Sequence, residues 1–323
     1  HEAFAEQIPT GTRIGTIEVR RYRVFNPEDP QESNWLYRWA NDFHSVTREW
    51  VVRDQLLLQE GDAYNVARVR ESERLLRNLK FLFDATVRPS RWCGDTVDLE
   101  VITRDIWTFW PTLSFTRSGG ANDYSFGFRD TNFLGTGKQV QVRHERDLER
   151  TGNTLVYSDP AVFGSRWRFR LALTDNDDGY DRAFRLNRPF FSVYEQWSAG
   201  AALEQQQLEE NIWFRGDEVA EFDHQRERVQ ALGGWALRTE EARQVGRLRF
   251  GYIFEEHEFA FSDSDIPPPV LPDDRTVSYP FIGYESLEDE FAEVINFNYL
   301  GRTEDLYVGE RYHFNVGWSD DSL

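Results

Sequence analysis

The sequence predicts two units in series: a small α+β domain and, after it, an all-β antiparallel region of the transmembrane β-barrel type. Three observations predict this. The one clear amphipathic helix and the two strands behind it lie in the first third of the chain. Alternating apolar and polar residues recur afterwards in segments of about ten, the length that crosses a bilayer at a tilt. The apolar face of those segments is unusually aromatic.

Composition bounds the answer. At 323 residues, 40% hydrophobic and 29% charged, the chain can fold around a real core. No apolar run is long enough for a spanning helix, and "HEAFAEQIPT" lacks the basic-then-apolar build of a signal peptide, so any export signal is expected to be gone already. A barrel stays compatible with a mean hydropathy of -0.65, because half of each strand is polar. The 37 basic and 56 acidic residues give a net charge of -19, which speaks against nucleic acid as a partner. Cys93 is alone, so no intrachain disulfide forms.

In chain order, residues 1–13 read as a tail and 14–105 as the α+β domain. "IGTIEVRRYRVF" is a strand, turn-rich "NPEDPQES" follows, and a mixed aromatic and charged stretch runs to Leu58. Asn65 caps a helix over 65–80 in which Val66, Val69, Leu76 and Leu79 share a face. Two strands, "FLFDATVRP" and "TVDLEVITRD", complete the domain.

Residues 106–323 read as the barrel region, with strands at "WTFWPTLSFT", "YSFGFRD", "KQVQVRHE", "RWRFRLAL", "RAFRLN", "GRLRFGYIF", "VINFNYL" and "RYHFNVGW". Short Gly- or Pro-containing separators ("FLGTG", "DPAVFGS", "NRPF") roughly take turns with polar, often longer ones ("ERTGN", "DNDDGYD", "LEENIWFRGDEVAEFD", "SDSDIPPPVLPDD"). Such sidedness is expected of an outer-membrane barrel.

Period alone leaves a soluble β-sandwich and a membrane barrel both open. The barrel is favoured by an apolar face carrying Trp107, Phe109, Phe115, Tyr124, Phe126, Phe128, Phe250, Tyr252, Phe254, Phe297, Tyr299, Phe314 and Trp318, opposite Arg, Asn, Gln, Ser and Gly. An arginine facing lipid at the midplane costs roughly 2 to 4 kcal/mol. Arg166, Arg168 and Arg170 of "SRWRFRLAL" are therefore expected to face the lumen.

The chain resembles the BamA/TamA-type superfamily of outer-membrane assembly and translocation barrels with periplasmic POTRA (polypeptide-transport-associated) domains. Residues 14–104 are similar to one POTRA domain, through the first strand, Gly61, Tyr64, the double-Leu helix and "VDLEVITRD". "GFRDTNFLGTGKQVQV", "YSDPAVFGSRWRFRLAL" and "NRPFFSVYEQW" resemble the family's surface-antigen region. The resemblance implies sixteen strands, whereas about ten to twelve fit here at ordinary hairpin spacing. The ending "GWSDDSL" does not look like a closing strand, and the family's Arg-Gly-aromatic loop motif is missing, since "FRGD" is early and ends in Asp217. A single-POTRA member, incomplete at its C-terminal end, is expected.

The resemblance implies outer-membrane protein assembly or polypeptide translocation, without chemical catalysis and without a cofactor. The implied partners are an unfolded outer-membrane or secreted polypeptide, outer-membrane lipid and periplasmic accessory proteins. A passive pore, or the translocator half of an autotransporter-like protein or outer-membrane lipase, is the alternative. Phe83, Ala85 and Val87 would present an edge strand to a client; an ordinary strand ending at a protective Pro89 is the plainer reading. Trp107, Phe109 and Pro111 would form a barrel seam, because proline cannot donate to a ladder, with a bulge in a closed wall as the alternative. "TDNDDGYD" misses the EF-hand spacing and reads as a loop tip. The helix arginines Arg68, Arg70, Arg74 and Arg77 read as a solvated face. The six histidines show no metal-ligand spacing.

Overall fold

The computed structural model describes residues 5–118, 121–237, 244–263, 266–298 and 301–319. The N-terminal unit runs β1 (Arg13–Tyr22), α1 (Trp35–Phe43), α2 (Glu49–Arg53), α3 (Val66–Arg77), β2 (Leu82–Cys93) and β3 (Thr96–Asp105). Its sheet has the order β1-β3-β2, with β1 parallel and β2 antiparallel to the central β3. The Asn65 side chain accepts from the Ala67 and Arg68 amides and so starts α3. Val69 and Leu76 of that helix pack with Ile14, Val52, Tyr64, Leu82, Val97 and Val101 in one core. The mixed stretch before Leu58 thus folds as two helices, α1 capped by Asn34 and α2 packed on β1.

The second unit is an antiparallel sheet of eleven strands. Its strands are β4 (Phe109–Ser118), β5 (Ala121–Asp130), β6 (Gln139–Arg146), β7 (Thr151–Asp159), β8 (Arg168–Asn176), β9 (Gly179–Arg188), β10 (Trp197–Phe214), β11 (Asp217–Leu237), β12 (Gln244–Phe261) and β13 (Arg275–Glu288). After β13 the chain makes a separate two-stranded hairpin, β14 (Phe291–Ile295) and β15 (Thr303–Tyr307), then returns as β16 (Arg311–Gly317) to pair with β13. Sequence neighbours pair from β4 to β13, and β4 and β16 are the edges of the sheet.

Register sorts the side chains into two faces. Directly opposed residues of an antiparallel pair share a face. Leu113 opposes Phe126, and Phe128 continues through Val142 and Leu155 to Leu173. Leu171 continues through Phe184, Leu203 and Val229 to Phe254, and Phe250 through Ile282 to Val316. Most of these side chains are exposed, Leu113 to 89%. The other face carries Ser125, Gln141, Thr154, Arg170, Arg185, Glu204, Arg228, Glu255 and Glu285. Ion pairs bridge it between neighbouring strands: Arg185 to Glu204 at 3.3 Å, Arg226 to Glu255 at 2.8 Å and Arg247 to Glu285 at 3.2 Å.

Three segments of the second unit are placed differently from the sequence reading. "LEENIWFRGDEVAEFD" is a tight hairpin tip between strands of 18 and 21 residues, not a loop. Arg215 (φ 56°) and Gly216 (φ 94°) give it the paired left-handed residues that a two-residue turn matched to strand twist requires. "VINFNYL" is not a strand of the eleven-stranded sheet: Val294 and Ile295 end β14 of the separate hairpin, and Tyr299 and Leu300 lie outside the described residues. The longest described connection, 289–310, lies at the N-terminal-domain end, opposite to where the long loops were expected.

Connections at that end hold the two units together. Within the N-terminal unit, the buried Asp105 carboxylate at the end of β3 fixes the segment that makes these contacts: it accepts from the Thr47 amide at 2.7 Å and lies 2.8 Å from His44 Nε2. Asn132 Nδ2 donates to Thr47 Oγ1 at 2.8 Å, and the Arg48 amide to the Gly135 carbonyl at 2.8 Å. Gly135 sits at φ 72°, where a Cβ would lie 2.3 Å from the Val46 carbonyl. Gly135→Ala is therefore expected to cost about 1 to 3 kcal/mol by left-handed strain and displacement of the 44–48 segment. Gly11, also left-handed but facing open space, supplies the control. In thermal unfolding, Gly135→Ala should lower the midpoint clearly more than Gly11→Ala.

Candidate functional site

The edge strand β2 brings the sequence-derived client residues together unequally. A bulge falls between Leu82 and Asp84, so the alternation shifts by one residue there. Ala85 and Val87 consequently point into the domain core, while Phe83 lines an open hollow of about 530 Å³ with Arg21, Tyr22, Arg23, Pro27 and Arg104. The Arg104 guanidinium lies 5.5 Å from the Phe83 ring. Only Phe83 of the three presents its side chain outside the core; Ala85 and Val87 contribute backbone.

That backbone edge is already engaged. The Val87 amide donates to Glu73 Oε2 of α3 at 2.7 Å. The other Glu73 oxygen pairs with Arg77. Arg77 in turn donates from Nε to Asp305 at 2.8 Å and from Nη2 to both Asp305 and Glu293 at 2.6 Å. Asp305 and Glu293 belong to the β14–β15 hairpin, whose Thr303 hydroxyl also lies 3.4 Å from Asp84 of β2. Arg302 donates to the Arg77 carbonyl, and Arg74 lies 4.0 Å over the Phe291 ring.

The hairpin therefore lies alongside the β2 edge and is tied through Arg77 and Glu73 to a β2 amide. Burial pushes the Glu73 carboxyl above its ordinary range, opposed by the Val87 amide and Arg77. Arg74 and Arg77 do not form the solvated face read from the helix. Besides Glu73 on its own helix, Arg77 has an acidic partner, Asp305, that lies 228 residues further on, and no local pattern reports it.

The seam residues separate into connector and strand. Trp107 lies between β3 and β4, whereas Phe109 and Pro111 are in β4, an edge of the sheet, on its apolar face. Phe109 stacks on Phe128 with ring centroids 5.7 Å apart. Among the arginines, Arg168 and Arg170 stand on the polar face, and Arg170 donates to Ser158 at 3.2 Å. Arg166 precedes the strand and donates to the Leu56 carbonyl of the N-terminal domain at 2.8 Å. It binds the two units together instead of joining the row on β8.

Glu32 fixes the loop beside the Phe83 hollow. Its carboxyl is held below the ordinary range by the Asn26 amide and by Arg104. A depressed carboxylate contributes stability above its unfolded-state pKa, and that contribution is lost as pH falls through the folded value. Hydrogen-exchange protection of residues 26–32 is expected to fall on acidification below the ordinary glutamate range. In Glu32→Gln it should be low already at neutral pH and nearly flat with pH.

No family model matches the chain. Over 122 residues, 36% of the chain, it is 25% identical to the outer membrane protein assembly factor BamA of Neorickettsia risticii (strain Illinois), and the match spans 16% of that relative. Among solved structures, it is similar to BamA from Haemophilus ducreyi lacking POTRA domains 1-3, at 12% identity and a TM-score of 0.37, covering 93% of this chain and 85% of that one. CdiB from Acinetobacter baumannii is similar at 12% identity and a TM-score of 0.38, covering 96% and 61%. The chain is thus similar to BamA over those 122 residues, and its α+β unit leads into an antiparallel sheet of eleven strands.

Proposed function

We propose that the chain is an outer-membrane barrel protein that inserts or translocates polypeptide, with its N-terminal unit a POTRA-type domain on the periplasmic side. The observation that carries this is the exposed apolar face running unbroken across eleven hydrogen-bonded strands, opposite a face of paired charges. In water such a face is a liability, and in lipid it is the favourable arrangement. Arg168 and Arg170 then line the interior, the arrangement that avoids exposing arginine to hydrocarbon.

The work is templating, not chemistry. An unpaired peptide group in hydrocarbon costs several kcal/mol, so a client strand must exchange its water for another strand's backbone. Among the sheet edges, β4, with Phe109 and Pro111, and β2, with Phe83, Ala85 and Val87, can offer one. On β2 the chain's own hairpin occupies the approach, so capture there requires the hairpin to lift and Glu73 to release the Val87 amide.

Liposomes holding the chain are expected to speed insertion of a urea-denatured β-barrel client over empty liposomes; ion conductance without any effect on the client would instead mark a passive pore. Asp84→Cys with Thr303→Cys, in a Cys93→Ser background, tethers the hairpin to β2. Oxidation should slow client insertion and reduction restore it; full activity with the crosslink verified would show that the hairpin does not gate the site.

A pair of arginine substitutions tests the sheet itself. Leu113→Arg, on the apolar face, is expected to cost about 2 to 4 kcal/mol and to reduce the folded, membrane-inserted fraction. Ser114→Arg, on the opposite face of the same strand, should leave that fraction nearly unchanged.

A further inference from the structure

Helix α1 turns three of its four aromatic side chains away from the protein. Trp35, Trp39 and Phe43 recur every fourth residue and are 72%, 50% and 70% exposed, with exposed Leu36 beside them. At 100° per residue the four fall within an arc of about 100°. The inward face is settled differently: Tyr37 packs on Phe25 with centroids 4.4 Å apart, Ala40 is buried, and Asn41 makes hydrogen bonds to both backbone groups of Phe25. The stripe is not part of the domain's core.

Its position says what covers it. The segment that follows α1 docks at the rim of the sheet: Thr47 meets Asp105 and Asn132, and Arg48 meets Gly135. Further on, Trp50 joins Phe163, Tyr157 and Phe169 around a hollow of about 260 Å³. Tyr157 and Phe169 lie on the apolar face of the sheet, opposite Leu171 of β8 and Leu186 of β9 respectively. Phe163, in a turn at this rim, is fully exposed and held left-handed at φ 52°; Leu134, in the preceding rim turn, is held likewise at φ 55°. The outer apolar surface therefore continues past the ends of the strands as far as Trp50 of the N-terminal domain.

We propose that α1 lies in the interfacial layer of the bilayer, its Trp35, Trp39 and Phe43 stripe among the lipid headgroups, and so anchors the N-terminal domain against the membrane. This rests on the reading that the sheet spans that bilayer. Tryptophan suits this layer because its ring is apolar and its indole N–H still needs a wet partner. An amphipathic helix of this kind sits about 5 to 10 Å into the headgroup and acyl boundary. Asn34 and Asp42 remain on the exposed surface of the element, at its cap and flank, and neither stands within the aromatic arc.

The test uses the full chain in a Cys93→Ser background, reconstituted in vesicles of phosphatidylethanolamine and phosphatidylglycerol. Single spin labels are placed at Trp39→Cys, Leu36→Cys, Phe250→Cys and Arg68→Cys, and the accessibility of each to oxygen and to a water-soluble nickel chelate is measured. Labels at 39 and 36 should show an oxygen-to-nickel ratio several-fold above that at 68 and below that at 250. A label in lipid at 250 with labels at 39 and 36 matching 68 overturns the anchor alone. Labels at 39 and 36 shielded from both reagents would mean that protein covers the stripe, which also overturns it. A label at 250 as aqueous as that at 68 removes the membrane reading and the anchor with it.

Discussion

One antiparallel register, carried strand by strand from β4 to β16, is the constraint on which the rest of the molecule depends. Among the described residues, only the tip of the β10–β11 hairpin interrupts it, by a bulge between Ile212 and Trp213. Side chains alternate with a period of two, so a slip of one residue anywhere would exchange the faces of every strand beyond it. Arginines and glutamates would then stand among Phe126, Leu155 and Phe250, with each charged group isolated on an apolar surface. The ion pairs between neighbouring strands favour the observed register from the polar side, and the aromatic contacts favour it from the other.

The N-terminal unit is fixed to this sheet by polar contacts to the connections at one end. Asn132, Gly135 and Arg166 tie the early strands to the 44–56 segment. Arg77 ties α3 to the β14–β15 hairpin. A buried pair of this sort adds little net stability over an apolar substitute, yet removing one partner leaves the other charge uncompensated. It therefore specifies position strongly, which suits a hairpin that must sit beside β2 in one orientation.

The sequence was most legible where local periodicity decides structure. Asn65 and the Val69, Leu76 spacing placed α3, and the alternation in "RWRFRLAL" and "GRLRFGYIF" placed β8 and β12. It was least legible where composition conceals the period. The glutamine- and glutamate-rich "ALEQQQLEEN" belongs to an 18-residue strand because its neighbours pair with it, not because its own residues favour extension. Phe83 was grouped with Ala85 and Val87 by counting in twos, and a bulge that no residue type announces broke the count.

What the sequence by itself determined is the order of the units, the alternation of most strands and the existence of one aromatic and one polar face, because all of these follow from residues within a few positions of one another. Tertiary structure alone decided that Arg77 is buried against a hairpin 228 residues away. It also decided that Arg166 reaches across to the N-terminal domain, and that Trp35, Trp39 and Phe43 are left outside the core. Those outcomes depend on which surfaces meet once the sheet has formed. Side-chain burial of that kind is set by packing partners, which local pattern does not contain.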